Sequence, residues 1–281
     1  MRISQACAKC MYDHQVRVSA DEVYLAEVRK IIEQRSEQDT TSELLYRFNE
    51  AYRKRFGARD SFADVKRQYN DLVLRMEDGI RSRIESSADP LAEALAFARI
   101  GNYIDYGAQN NVDEATFLSL FDTAKLQKGD LSVYESFLQN CAGAGTFLLL
   151  ADNCGEIVLD KLFLEQLRLR FPQLKLQVLV RGGEVLNDVT VDDALYTGID
   201  QIARILSSGK AVAGTVYSMM SHEAQRALDE ADVILAKGQA NYESLSGTGR
   251  HVFYSFLCKC DHFTSKFNVP ALTGMLVEEA S

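Results

Sequence analysis

Proline is scarce, with three in 281 residues, and no low-complexity tract or internal repeat interrupts the chain. That scarcity, with 47% hydrophobic residues, excludes a disordered or linker-rich protein and indicates a compact fold with a sizeable core. Nothing approaches the roughly 20 apolar residues that span a bilayer, and Met1-Arg-Ile-Ser-Gln-Ala-Cys7 lacks the apolar core of a secretory signal. The expected location is therefore cytoplasmic, with no membrane partner. Basic residues are in deficit: the formal net charge is −9, which argues against a nucleic-acid partner, because phosphate backbones are met by clustered Lys and Arg. Several catalytic signatures are also missing. There is no G-x-G-x-x-G after the first strand, no P-loop, no G-x-S-x-G and no H-E-x-x-H, which removes the usual dinucleotide, nucleotide, serine-hydrolase and zinc-protease motifs.

What is present divides near residue 142. Up to that point apolar residues recur at helical spacing: Tyr24, Leu25, Val28, Ile31 and Ile32; Leu44, Leu45, Phe48 and Tyr52; Phe62 through Ile80. Thr40-x-x-Glu43 reads as a capping box, Gly57 as a stop, and Asp89-Pro90 as an N-cap followed by proline. Two further helices are expected from about Asp113 to Leu126 and from about Ser132 to Asn140. Beyond Cys141-Ala-Gly-Ala-Gly145 the period changes to short apolar runs alternating with helical stretches: 146–151, 176–180, 201–206, 232–236 and 251–257. The expected fold is α/β, with a helical domain (1–142) packed on a doubly wound, mostly parallel Rossmann-like sheet (143–281).

Ligands of such sheets bind beyond the strand C-termini, so the residues just past each run carry the functional signal. Asp152, Asn153 and Glu156 lie past the first and Asn187-Asp188 past the second; a glycine-bearing loop with Lys210 succeeds the third, and Lys237-Gly238-Gln239 the fourth. Asp152 or Asn153 also reads as the N-cap of the helix starting near Glu156, and Asp188 as a loop acid. Their recurrence on successive exits is what speaks for a site. Two carboxylates with an amide form an all-oxygen set suited to Mg²⁺, Mn²⁺ or a similar cation, and two lysines with flexible glycines suit a phosphate. In the helical half, Gly101-Asn102-Tyr-Ile-Asp105-Tyr-Gly107 reads either as a helix terminus or as a presenter of Asn102 and Asp105. Cys7-Ala-Lys-Cys10 has metal-ligand spacing, and Cys258 with Cys260 would complete a four-thiolate set; reduced, unligated thiols are the competing reading.

The same segments resemble the metal-dependent damage-control phosphatase family, in its bacterial and archaeal branch with an N-terminal C-x-x-C. The matching pieces are Gly101-Asn-Tyr-Ile-Asp105, Asp152-Asn-Cys-Gly-Glu156 with Asp160, Arg181-Gly-Gly-Glu184 leading to Asn187-Asp-Val-Thr190, Asp193-Ala194, Lys237-Gly-Gln239 with Asn241 and Glu243, and Lys259-Cys260. The resemblance implies hydrolysis of small phosphorylated metabolites, sugar phosphates or damaged phosphometabolites, with a divalent metal ion: Mn, Ni, Co or Mg. It implies Asp152, Asn153 and Asp188 as metal ligands and Lys237 as a phosphate-binding catalytic residue, with Asn102, Asp105, Gly238 and Gln239 toward the substrate. Glu156, or Asp105 from the helical side, is a candidate general acid or base, and the nucleophile is either water or Asp152. The chain departs from the family pattern at Ala240, Ala236, Lys210 and Ala213, around the phosphate loop. Competing functions for this sheet are an S-adenosylmethionine-dependent methyltransferase and a non-catalytic metal or thiol sensor.

Overall fold

Periodic apolar faces and strong caps organise the first half. A computed structural model describes residues 3–103 and 114–280, and among these seven helices precede the first strand: α1 (Gln5–Val18), α2 (Glu22–Glu33), α3 (Thr41–Phe56), α4 (Ala63–Glu85), α5 (Pro90–Gly101), α6 (Glu114–Thr123) and α7 (Leu131–Gly143). The Thr40/Glu43 box closes the start of α3, whose end is turned by Gly57 at φ +89°. Asp89 caps α5 by accepting from the Ala92 N–H. Both features were legible as spacing.

The second half alternates as expected: β1 (Thr146–Leu150), α8 (Glu156–Arg170), β2 (Lys175–Val180), α9 (Val191–Tyr196), β3 (Arg204–Ser207), α10 (His222–Glu230), β4 (Val233–Lys237), α11 (Gly238–Leu245), β5 (Val252–Leu257), α12 (Asp261–Phe267) and β6 (Gly274–Glu279). The strand order is β3-β2-β1-β4-β5-β6. The first five strands are mutually parallel, and β6 runs antiparallel to β5. Successive crossovers reverse direction between β1 and β4, and at such a switch point the exits of neighbouring strands part and leave a crevice.

Side-chain alternation on β1 shows why helices cover both faces. Phe147 and Leu149 join the core made with α4, α5, α7 and α8, whereas Leu148 and Leu150 join the core made with α10, α11 and α12. Helix α5 is buried on nearly every residue, Leu91 and Ala94 through Gly101, which is why it reads as apolar all round. The expected division at 142/143 falls in the last turn of α7, just ahead of β1, yet one apolar core crosses it, from Val73 and Phe97 to Phe147 and Phe253. A smaller cluster, including Tyr24, Val28, Leu44 and Phe48, joins α1, α2 and α3.

Three boundaries differ from expectation. A 3₁₀ turn at Ile199–Gln201 takes the start of the expected third strand, and another at Tyr217–Met219 delays α10 until Ser221 can cap it. Strand β6 was not anticipated, because its apolar run is only Met275-Leu-Val277 and just one of its six residues is buried.

Candidate active site

The exits of β1 and β2 are laced together by backbone hydrogen bonds: Cys154 N–H to Asn187 O (2.8 Å), Val189 N–H to Asp152 O (2.9 Å) and Arg181 N–H to Val189 O (2.8 Å). An isolated antiparallel bridge pairs Asn153 with Asp188. This lacing brings Asp152 and Asp188, far apart in sequence, onto one guanidinium. Arg181 Nε donates to Asp188 Oδ2 at 2.6 Å and Nη2 to Asp152 Oδ1 at 3.2 Å. Its Nη1 donates to Gly214 O (3.1 Å) and Asn241 Oδ1 (3.4 Å), which ties the pair to α11 across the switch point. Arg181 is 1% exposed, Asp152 7% and Asp188 6%, so all three charges are held within the protein.

The other oxygen of Asp152 is read by amides. Asn102 Nδ2 reaches Asp152 Oδ2 at 3.0 Å and Glu156 Oε2 at 3.3 Å, while Asn102 Oδ1 accepts from Leu257 N–H at 3.1 Å. Asn153 Nδ2 donates to both Asp152 Oδ2 and Glu156 Oε2 at 2.9 Å, and its Oδ1 accepts from Asn187 Nδ2 at 3.1 Å. Two close approaches require glycine. A Cβ on Gly101 would lie 2.9 Å from Glu156 Cα, and one on Gly238, whose φ is +77°, would lie 1.9 Å from Asp152 Oδ2. The start of α11 thus abuts Asp152.

Lys237 occupies a different place from the one expected. Its ammonium is fully buried and donates to Glu156 Oε1 (2.6 Å), Asp160 Oδ1 (2.7 Å) and Ala98 O (2.9 Å). An ammonium has three N–H groups, so a phosphate would have to displace one of these acceptors. Two buried carboxylates around one lysine leave an excess negative charge, and burial pushes the Asp160 carboxyl up to about 7, opposed by the Lys237 charge. Lys210, the second lysine expected here, is exposed and stands 5.9 Å from the Tyr46 ring. Gln239 turns toward the β5–α12 loop, where its Oε1 accepts from Lys259 N–H and its Nε2 meets Cys260 Sγ at 3.8 Å. Asp105 lies outside the described residues.

Three contributors had no role assigned from sequence, although Arg181 stands within one of the matching segments. Arg181 closes the apolar run of β2 between the two acidic segments; a basic residue where a buried strand ends, flanked by acids, was the available signal. Asn70 and Lys66 on α4 gave no local signal. Buried Asn70 accepts from the N–H of Gly155, the α8 N-cap, at 2.6 Å, and Lys66 Nζ lies 2.5 Å from Asp193.

In chemistry, Asp152 and Asp188 fit a hard divalent cation, two carboxylates on adjoining exits with Arg181 showing that a positive group is accommodated between them; Asn153 brings an amide oxygen of the right type in the same segment, here accepting from Asn187 Nδ2. Among the described residues no three of His, Cys, Asp and Glu are grouped to hold a metal. The proposed four-thiolate set is therefore not assembled: Cys7 and Cys10 sit on α1, Cys258 is buried, and all six cysteines are free. Cys154 is also buried, and burial raises its thiol well above the ordinary range, consistent with a core residue.

Comparison with known proteins agrees across the chain. Residues 2–271 match the damage-control phosphatase ARMT1-like domain. A damage-control phosphatase of Archaeoglobus fulgidus is 30% identical over 273 residues, 93% of each chain. One from Pyrococcus horikoshii is 27% identical over 226 residues, 79% of this chain and 76% of that one. In three dimensions, the crystal structure of a DUF89-family protein from Pyrococcus horikoshii superposes with a TM-score of 0.80 over 99% of both chains at 23% identity, a likeness of fold.

Proposed function

This chain belongs to the damage-control phosphatase family of the ARMT1-like domain, and from that premise we propose a divalent-metal-dependent phosphomonoesterase acting on small phosphorylated metabolites, sugar phosphates or damaged phosphometabolites. The observation that carries the reading is the convergence of Asp152 and Asp188 on one buried cation at the switch point of the sheet. Asp152, Asn153 and Asp188 would hold the metal, which when bound supplies positive charge to polarise the phosphoryl oxygens.

The remaining residues orient and position. With Oδ1 held by Arg181 and Oδ2 by Asn102 and Asn153, Asp152 serves as an orienting carboxylate, and the attacking group is water. Lys237 compensates Glu156, whose other oxygen aligns Asn102 and Asn153; Glu156 is thereby a positioning residue rather than a proton carrier. The first turn of α11, beginning at Gly238 beside Asp152, has N–H groups without helical acceptors and a positive dipole end, and it anchors phosphate in place of the Lys237 ammonium. Asn102, at the end of α5, is fully buried with its amide engaged by Asp152, Glu156 and the Leu257 N–H, so it positions the Asp152 carboxylate rather than touching substrate. Family membership favours this activity over a methyltransferase or a thiol sensor.

The test is phosphate release from sugar phosphates and one aryl phosphate by chelator-treated protein, with and without Mn²⁺, Ni²⁺, Co²⁺ or Mg²⁺, alongside Asp188→Ala. Metal-stimulated turnover abolished in the folded variant is expected. Metal-independent turnover, or a variant at near wild-type rate with saturating metal, would remove the reading.

A further inference from the structure

Arg181 is among the largest fully buried side chains. A guanidinium is taken out of water only where its charge and donors are answered. Here Nε and Nη2 are answered by Asp188 and Asp152, while Nη1 is clamped by Gly214 O and Asn241 Oδ1 and the backbone N–H by Val189 O. Four contacts from four segments fix the guanidinium between the acids, the place where the proposed function puts a metal. Among the described residues, Arg181 is the cation that lies between these two buried carboxylates on adjoining exits.

We propose that Arg181 is a built-in stand-in cation: its guanidinium bridges Asp152 and Asp188 in the metal-free protein, preserves the shape of the site, and competes with the divalent ion for their negative charge. The competition rests on the metal-site reading of the preceding subsection. Hard cations sit about 2.0–2.6 Å from carboxylate oxygens, so a dication on these acids stands beside the guanidinium and is repelled by it. The bridge thus makes a preformed site at the expense of affinity, and the metal ion is exchangeable rather than permanently held. This is a positioning role, since Arg181 acts through the two carboxylates.

The experiment compares chelator-treated wild type, Arg181→Met and Arg181→Lys by urea denaturation and by calorimetric titration with Mn²⁺ alone. Met removes the charge, while Lys keeps a charge without the planar fork, so it engages one carboxylate at a time. In the absence of metal, Arg181→Met is expected to unfold at lower urea, and adding Asp188→Asn to it should cost less than the same substitution in wild type. Mn²⁺ should bind Arg181→Met at least about tenfold more tightly than wild type, and Arg181→Lys to an intermediate degree. A side chain that merely fills space would not tighten metal binding when removed. Equal or weaker binding by folded Arg181→Met overturns the competition; if that variant folds only with Mn²⁺, the competition is supported. If it never folds, Arg181→Lys decides alone, and binding no tighter than wild type overturns the proposal. Wild type that binds no Mn²⁺ would defeat the metal-site reading and the competition with it, while the Arg181/Asp188 double-variant comparison would still report on the bridge.

Discussion

Gly238→Ala isolates the contact between α11 and the Asp152 carboxylate. The added Cβ would lie 1.9 Å from Oδ2, and real Cβ contacts do not fall below 3.0 Å, so carboxylate or helix must move by at least about 1 Å. Forcing alanine to φ +77° costs about 1–2 kcal/mol. Disturbing the hydrogen bonds from Asn102, Asn153 and Arg181 adds about 1–2 kcal/mol, a total of about 2–4 kcal/mol. Misplacement of about 1 Å in a reacting constellation costs on the order of 10²-fold. Activity should therefore fall about a hundredfold in protein that is still folded at 25 °C. Gly57→Ala is the control for positive φ without a close approach: Gly57 has φ +89° and ψ −165° and nothing within 4 Å of the added Cβ, so it should lose about 1–3 kcal/mol and keep full activity. The assays are urea denaturation and kcat/KM on an aryl phosphate. Activity of Gly238→Ala within threefold of the Gly57→Ala control would refute the contact as a determinant of the site.

Asp160 gives a pH prediction. Its carboxyl is raised by burial from 3.8 to about 7, so its contribution to stability is full below about pH 4 and is lost as pH rises through about 7; Asp160→Asn should flatten the stability profile between those values, and an unchanged slope in urea denaturation would contradict it. Cys7→Ser with Cys10→Ser should leave kcat/KM unchanged, because both thiols sit on α1 whereas the site is built on the exits of β1 and β2; inactive protein with unaltered circular dichroism and Mn²⁺ binding would overturn this. Asn102→Ala should lower kcat/KM by a similar factor on every sugar phosphate, because Asn102 holds Asp152 and Glu156 rather than substrate, whereas Lys237→Met should in addition destabilise the fold by about 3–5 kcal/mol through two orphaned buried carboxylates; a changed ranking among sugar phosphates in Asn102→Ala would contradict the positioning role.

The sequence carried most of the sheet because β1, β2, β4 and β5 are mostly buried on both faces, which leaves apolar runs broken only by single polar residues such as Gln177 and Ser255. It carried the acids because they come directly after those runs. Strand β6 was opaque, since a half-covered antiparallel edge needs neither a long run nor strict alternation. Lys237 shows the deeper limit: a lysine at a strand exit and a lysine folded back under α5 have the same sequence context. Its direction is set by Glu156, Asp160 and Ala98 O, partners fixed by helix packing rather than by neighbours in the chain. Asn70 was invisible for the same reason, as its acceptor role depends on α4 crossing the start of α8.

Closure of the Lys237 and Asn102 contacts also imposes an order on biosynthesis. Lys237 reaches back 139 residues to Ala98, and Asn102 waits for the N–H of Leu257, 155 residues downstream. A nascent chain released after Asp188 would contain every proposed metal ligand, yet lack α11 beside Asp152, the clamp on Arg181 and the Leu257 N–H that donates to Asn102. Long loop closure is slow and leaves earlier segments exposed meanwhile. Synthesis through β5 is thus needed before a ribosome-bound chain can complete this constellation, and partial translation products retain the acids without the geometry that makes them a site.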